Sequence, residues 1–147
     1  MDIATKCGFA ISGSTSGTWD LTTKRDESKG VRLIKLRNLI QQTHENKPLD
    51  LVVFEAVRAF RHQQAVVCQS ELQGVVKAWC HDNNIEYKGY TSSEIKKHAT
   101  GKGNAKKDQM IKAAAEMFEI KIFDDNHADA LWILDLAKKQ LEGERFA

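Results

Sequence analysis

The acidic residues best placed to do chemistry lie in segment 124–134, which reads Asp-Asp-Asn-His-Ala-Asp-Ala-Leu-Trp-Ile-Leu. The pattern predicts a helix that begins acidic and becomes apolar. Asp124 or Asp125 can cap its first turn, because a carboxylate there accepts free backbone N–H groups and meets the positive end of the helix dipole. Asp125 and Asp129 lie four residues apart on one face, and the alanines on either side of Asp129 would let that turn lie close to a sheet.

Asp129 is therefore predicted to be partly buried, with an apolar helix following it. A buried carboxylate costs several kcal/mol unless it is paired or bound to metal. No Lys or Arg occurs in the next two turns. Two interpretations stay open: Asp129 binds a metal ion, or Asp124 and Asp125 only cap the helix and Asp129 meets a distant cation.

Two further acids stand where an α/β fold could bring them to the same edge of a sheet. Glu55 ends the apolar run 49–55, which predicts a buried strand, and ligands of open α/β sheets bind beyond the carboxyl ends of strands. Asp2 precedes a strand-like segment. For Glu55, the alternative is an ordinary residue at the end of a strand that faces solvent. Three carboxylates repel one another unless cations lie between them, and oxygen ligands suit Mg²⁺ or Mn²⁺. Two such ions roughly 4 Å apart could activate a water for phosphodiester hydrolysis.

Five lysines surround a glycine-rich bend at 100–104, namely Lys96, Lys97, Lys102, Lys106 and Lys107. Such a segment suits a phosphate backbone, because glycine lets the main chain approach and lysine neutralises charge. The spacing of a Walker loop is absent. The alternative is a solvated basic loop.

Length and composition predict one soluble domain over residues 1–147. The net charge is +2, so any nucleic-acid affinity must come from how the 22 basic residues are distributed. The three cysteines, Cys7, Cys68 and Cys80, have no CxxC pair, which predicts reduced core thiols in a cytoplasmic protein and no zinc site. We expect no signal segment and no membrane span.

Hydrophobic periodicity predicts a mixed α/β domain with one central sheet. The expected order is a hairpin over 7–23 with its turn at 13–17, a helix from 31 to about 46, a strand at 49–55, a helix at 63–81, a strand at 85–90, and helices at 92–99, 105–118 and from the acidic segment to about 142.

Four segments together resemble the RuvC-like Holliday-junction resolvases of the RNase H-like superfamily. The sequence DIATKCGFA at 2–10 is similar to that family's first-strand motif, VFE at 53–55 to its second acidic motif, and DNHADAL at 125–131 to its last helix. The segment at 94–110, EIKKHATGKGNAKKDQM, resembles its basic segment and is the most specific match. The resemblance implies an RNase H-like fold, with a central mixed β-sheet flanked by helices.

The resemblance also implies roles for individual residues. Asp2, Glu55 and Asp129 become metal ligands, Lys96 and Lys107 become phosphate-facing lysines, and Lys102 and Lys106 join them in binding DNA. The fourth ligand falls on Asp125 or, through its carbonyl, Asn126. His127 is displaced from a useful catalytic position and is predicted to be a surface residue; Phe60 could be an aromatic that enters the junction, or a core residue.

The predicted function is a Mg²⁺- or Mn²⁺-dependent endonuclease that cleaves branched DNA as a homodimer, with about two ions per site and no nucleotide cofactor. One alternative is a nuclease of the same fold that acts on RNA precursors or unbranched DNA, and another is a non-catalytic DNA-binding module. The opening sequence DIATKCG at 2–8 also resembles the phosphate loop of actin-like ATPases and sugar kinases. Those proteins need two such domains around a nucleotide cleft, and 147 residues cannot supply both. Only Met1 precedes Asp2, where a strand of about five residues is expected, so the first strand is expected to be truncated. Two interpretations stay open: the sequence begins too late, or the protein is marginal in stability as written.

Overall fold

The computed structural model describes residues 1–58 and 62–145 and has a mixed α/β architecture, as predicted. Its strands are β1 (Lys6–Ala10), β2 (Ser16–Asp20), β3 (Leu51–Glu55) and β4 (Glu86–Tyr90). Its helices are α1 (Gly30–Asn46), α2 (Gln63–Asp82), α3 (Ser92–Thr100), α4 (Lys107–Phe118) and α5 (Asp125–Arg145). Among the described helices, none combines the length and hydrophobicity needed to cross a membrane.

The predicted central sheet consists of two strand pairs joined by the first two residues. β1 pairs with β2 antiparallel, and β3 pairs with β4 parallel. The Met1 amino group donates to the Val53 carbonyl at 2.7 Å, and Glu55 N–H donates to the Met1 carbonyl at 3.3 Å. Asp2 and Gly8 exchange two backbone hydrogen bonds of 2.9 and 3.1 Å. The spatial order is therefore β2, β1, residues 1–2, β3, β4.

Beyond Met1, β1 and β3 diverge around a cavity of about 490 Å³. Segment 9–12 lines one side and segment 49–53 the other, while Ile40 of α1 and Leu134 of α5 lie at its walls. Met1 also lines the cavity, which therefore lies next to the start of the chain and between segments of both strands.

Two apolar clusters cover the two faces of the sheet. Val52 and Phe54 pack with residues of α1 and α2, whereas Val53 packs with residues of α4 and α5. The alternation within β3 explains this, because successive side chains of a strand point to opposite faces. Glu55, next along the strand, is thereby placed at the sheet edge on the α5 side.

As predicted, the first turns of α5 lie close to the sheet. Ala128 and Ala130 are fully buried. A Cβ at position 8 would lie 1.8 Å from the Asn126 carbonyl oxygen, so only glycine fits where α5 meets β1. Small residues on both elements therefore bring the first turns of α5 onto the sheet beside Asp2.

Three local predictions differ from the structure. Ser16 and Gly17, predicted as turn, belong to β2 because they pair with Ala10 and Phe9. The fourth helix begins at Lys107 and not at 105, after a turn in which Lys106 N–H donates to Gln109 Oε1 at 2.8 Å. Cys68 is only partly buried, and Arg32 donates to its sulfur at 3.0 Å, whereas the other two cysteines are buried as expected.

Candidate active site

Three carboxylates from distant parts of the chain meet at one edge of the sheet. One oxygen from each of Asp2, Glu55 and Asp129 lies within 4.8 Å of the other two. Asp2 is held by its backbone bridge to Gly8, Glu55 is the last residue of β3, and Asp129 lies in the second turn of α5. The predicted convergence of these three acids is therefore present, and their oxygen-only donor set fits a divalent cation.

Burial and mutual repulsion make this cluster unfavourable without a counter-charge. Asp2 is 8% exposed, and desolvation, followed by the charges of Asp129 and Glu55, raises its pKa to about 8. Desolvation, followed by the charges of Glu55 and Asp125, raises the pKa of Asp129 to about 7. A bound cation would reverse both effects, because it favours the ionised carboxylates.

In the presence of a chelator, the free energy of unfolding is expected to fall as the pH rises from about 4 to about 8. Unfolded Asp loses its proton near 3.8, whereas folded Asp2 and Asp129 hold theirs until about 8 and about 7. The folded state binds more protons than the unfolded state in this window. The resulting stabilisation of the folded state is complete below pH 3.8 and is lost as the pH rises through the folded pKa values. Melting curves in EDTA at several pH values measure this.

The matched control for that measurement is Asp129→Asn, which should flatten the pH dependence. Mg²⁺ should raise the melting temperature of the wild-type chain more at pH 8 than at pH 5. Equal pH dependence in the two proteins would show that the cluster does not govern it.

The two other aspartates of this segment, Asp124 and Asp125, make different contacts at the start of α5. Asp124 Oδ1 accepts from His127 N–H at 2.8 Å and from the Thr18 hydroxyl at 2.9 Å, so Asp124 is the residue that caps the helix. Asp125 lies outside the 4.8 Å group and pairs with Lys107 at 3.2 Å. Its charge still acts on both Asp2 and Asp129, and its role as a fourth ligand stays a prediction.

His127 is buried, and its prediction as a surface residue is wrong. It is 1% exposed. Its Nδ1 accepts from Phe123 N–H at 3.2 Å, so the proton lies on Nε2, which donates to the Ser16 hydroxyl at 2.9 Å. Burial lowers its pKa. The side chain thus ties the start of α5 to β2, a contact that only the folded hairpin creates.

Two lysines of the basic segment approach the acidic cluster. Lys96 of α3 and Lys107 at the start of α4 both lower the pKa of Asp129. Between them, α3 ends at Gly101 in the left-handed conformation (φ 80°), and Lys102 and Lys106 are exposed on the bend that follows. The fold therefore brings positive charge beside the three acids, where a phosphate would need it. Phe60 lies outside the described residues.

Known proteins of one family resemble this chain along most of its length. The family described as Crossover junction endodeoxyribonuclease RuvC matches residues 4–134. The RuvC protein of Brachyspira hyodysenteriae is 24% identical over 134 residues, covering 87% of this chain and 84% of its own. That of Caldicellulosiruptor saccharolyticus is 29% identical over 114 residues, covering 76% and 68%.

Solved structures of Thermus thermophilus RuvC have the same fold. The protein alone superposes with a TM-score of 0.69 at 17% identity, over 86% of this chain and 81% of the other. The structure described as being in complex with Holliday junction substrate gives a TM-score of 0.71 at the same identity and coverage. The RNase H-like fold predicted from the sequence is therefore confirmed. With a family match that spans residues 4–134, the chain belongs to the RuvC family of crossover junction endodeoxyribonucleases.

Proposed function

We propose that this chain is a metal-dependent endonuclease that resolves Holliday junctions. The observation that carries the proposal is the meeting of Asp2, Glu55 and Asp129 within 4.8 Å in a member of the RuvC family. Unpaired cysteines favour a cytoplasmic location for this activity.

The three acids would hold Mg²⁺ or Mn²⁺, in our proposal two ions, with Asp125 as a candidate fourth ligand. Bound divalent ions supply an activated water and stabilise the leaving oxygen of a phosphodiester. The chain's own residues provide the rest. Asp2 is buried and Asp129 is half-buried, so the fold would hold their ligand oxygens in place. Lys96 and Lys107 would neutralise the phosphates that border the cleaved bond.

A homodimer fits this substrate because a four-way junction contains two equivalent strands to cut. The acidic cluster of each subunit would then cut one of the two strands. Sedimentation velocity of the free protein and of its junction complex tests this part of the proposal, and a complex with a single copy per junction would contradict it.

The decisive experiment compares a synthetic four-way junction, a matched duplex and an RNA hairpin, each with and without Mg²⁺. Paired nicks in the junction alone, dependent on the metal, would support the proposal. Cleavage of the RNA or the duplex at a comparable rate would favour the alternative of a nuclease for RNA precursors or unbranched DNA. Binding without cleavage of any substrate would favour a non-catalytic module.

Lys96→Ala and Lys107→Ala are each expected to weaken junction binding for all sequences and to reduce the slope of log K against log salt by about one. Each lysine would neutralise a phosphate and release its counterion, without reading a base. Fluorescence anisotropy at several salt concentrations measures the slope. Lys139→Ala is the matched control, since Lys139 is exposed on the distant half of α5; an unchanged slope in both test variants would make the segment a solvated loop.

A further inference from the structure

A histidine and an aspartate outside the acidic cluster join α3 to α5. His98 Nε2 donates to Asp135 Oδ2 at 2.7 Å, since an ionised carboxylate only accepts. The side chain of His98 is 11% exposed and that of Asp135 is 28% exposed. A hydrogen bond to a charged group that is largely shielded from water is stronger than the same bond at the surface. The contact therefore fixes one side of α3 on α5.

A tryptophan between Asp129 and Asp135 strengthens this attachment. Trp132 is buried, and the His98 ring packs edge-on against it, with ring centroids 5.9 Å apart and an interplanar angle of 79°. Trp132 Nε1 also donates to the Met110 carbonyl of α4 at 3.2 Å. Because the three α5 residues follow one another at three-residue spacing, they lie on successive turns of one side of the helix. α5 thus holds both α3 and α4 on the side that carries Asp129.

Lys96 and His98 lie on opposite flanks of the apolar stripe by which α3 packs. Ile95 is buried in the same apolar cluster as residues of α5, and Ala99 packs against that cluster. Two residues correspond to a rotation of roughly 200° about a helix axis. Lys96 is half-buried and lowers the pKa of Asp129, so its charge acts on the acidic cluster. A rotation of α3 that breaks the contact of His98 would therefore also move Lys96 relative to Asp129.

The geometry points to His98 and Asp135 as positioning residues that hold Lys96 at the phosphate beside the cleaved bond. This inference rests on the proposed function, in which Lys96 neutralises that phosphate. A lysine stem is flexible, so a fixed helix is needed to limit where its ammonium group lies. A misplacement of about 1 Å caused by a change far from the chemistry can lower a rate about 100-fold. Loss of the His98 contact should thus lower the cleavage rate more than the affinity, since the charge of Lys96 remains.

The test compares His98→Phe, Lys96→Ala and the double variant in the full chain. Phenylalanine keeps a ring against Trp132 and removes the donor to Asp135, whereas His98→Gln keeps an amide donor. His44→Phe is the matched control, because His44 of α1 also packs edge-on against a tryptophan, at 5.4 Å and 78°, on the other face of the sheet. Junction affinity and its salt slope are measured in EDTA. The single-turnover cleavage rate is measured in Mg²⁺ at saturating protein.

We expect His98→Phe to lower the single-turnover rate about 10-fold, while the affinity stays within about 2-fold and the salt slope does not change. Asp135→Asn should lower the rate less, because an amide oxygen still accepts, and His98→Gln should restore most of the rate. Lys96→Ala should lower both the rate and the affinity. Adding His98→Phe to Lys96→Ala should lower the rate no further, because the effects of residues that act through one another do not add. His44→Phe should leave the rate unchanged.

A wild-type rate for His98→Phe, or an equal loss of rate with and without Lys96, would overturn the positioning proposal alone. A loss of affinity as large as the loss of rate would make the pair a purely structural contact and would also overturn it. Melting curves show whether each variant folds. If His98→Phe does not fold, Asp135→Asn with and without Lys96→Ala makes the same comparison. A wild-type chain that does not cleave the junction would overturn the proposed function as well.

Discussion

Asp129→Asn is expected to abolish metal-dependent junction cleavage, with a rate at least about 1,000-fold lower, while junction binding stays equal or becomes tighter. Divalent ions supply several kcal/mol of transition-state stabilisation, and each ~1.4 kcal/mol is a factor of ten in rate. The amide keeps the shape of Asp129 but removes a charge that a cation needs and that repels phosphate. Single-turnover cleavage at saturating protein separates the rate from binding.

The same loss is expected for Asp2→Asn and Glu55→Gln, because each of these carboxylates belongs to the same 4.8 Å group. Asp50→Asn is the matched control, since Asp50 is exposed and immediately precedes the strand that Glu55 ends. Asp125→Asn should be milder, because Asp125 lies outside that group and pairs with Lys107. Mg²⁺-dependent cleavage at near wild-type rate by any of the three main variants would contradict the assignment of that residue as a ligand.

The second large effect concerns the cavity between β1 and β3. Joining the apolar segment Lys-Ile-Leu-Ala-Leu in front of Asp2 is expected to raise the melting temperature by about 10 °C or more. Two or three newly buried apolar side chains contribute ~1.5–3 kcal/mol each, and for a chain of this size 1 kcal/mol corresponds to about 2–4 °C.

The backbone pattern defines where such a segment would lie. Asp2 bridges Gly8 antiparallel, and Met1 lies parallel to β3 between Val53 and Glu55. Extension in the same register would pair with Ala10 and Ile11 on one side and with Val52 and Val53 on the other, filling the cavity of about 490 Å³. Side chains would point alternately to α1 and α5.

Matched melting curves decide this prediction, with a Gly-Ser segment of equal length as the control. Hydrogen exchange should also slow at the backbone amides of segments 9–12 and 49–53 in the apolar variant only. If the apolar and the Gly-Ser variants melt at the same temperature as the original chain, the cavity does not accept a strand and Asp2 is held sufficiently by its contacts with Gly8 and β3.

The sequence was sufficient for the elements and for the convergence of the acids, because each acid stands at an element boundary that composition marks. Glu55 ends an apolar β-rich run, and Asp129 lies between two alanines. Periodicity could not reveal that His127 would be buried, since its partners Ser16 and Phe123 come from a hairpin and a loop. Composition also predicted a turn at Ser16 and Gly17, whereas the pairing register of the hairpin places both residues in β2. The roles of the acids and lysines stay predictions.

The contact between Gly8 and the Asn126 carbonyl has a consequence for how this site could be lost over evolutionary time. A Cβ there would stand 1.8 Å from that oxygen, so any replacement of Gly8 must push the start of α5 away from β1 and carry Asp129 away from Asp2. Such a descendant would keep all three acids and the whole basic segment. If the acids and lysines act as proposed, such a descendant would still bind DNA through its basic segment but would no longer cleave it. Glycine at position 8 of β1 is thus as diagnostic of an intact acidic site as the three carboxylates themselves.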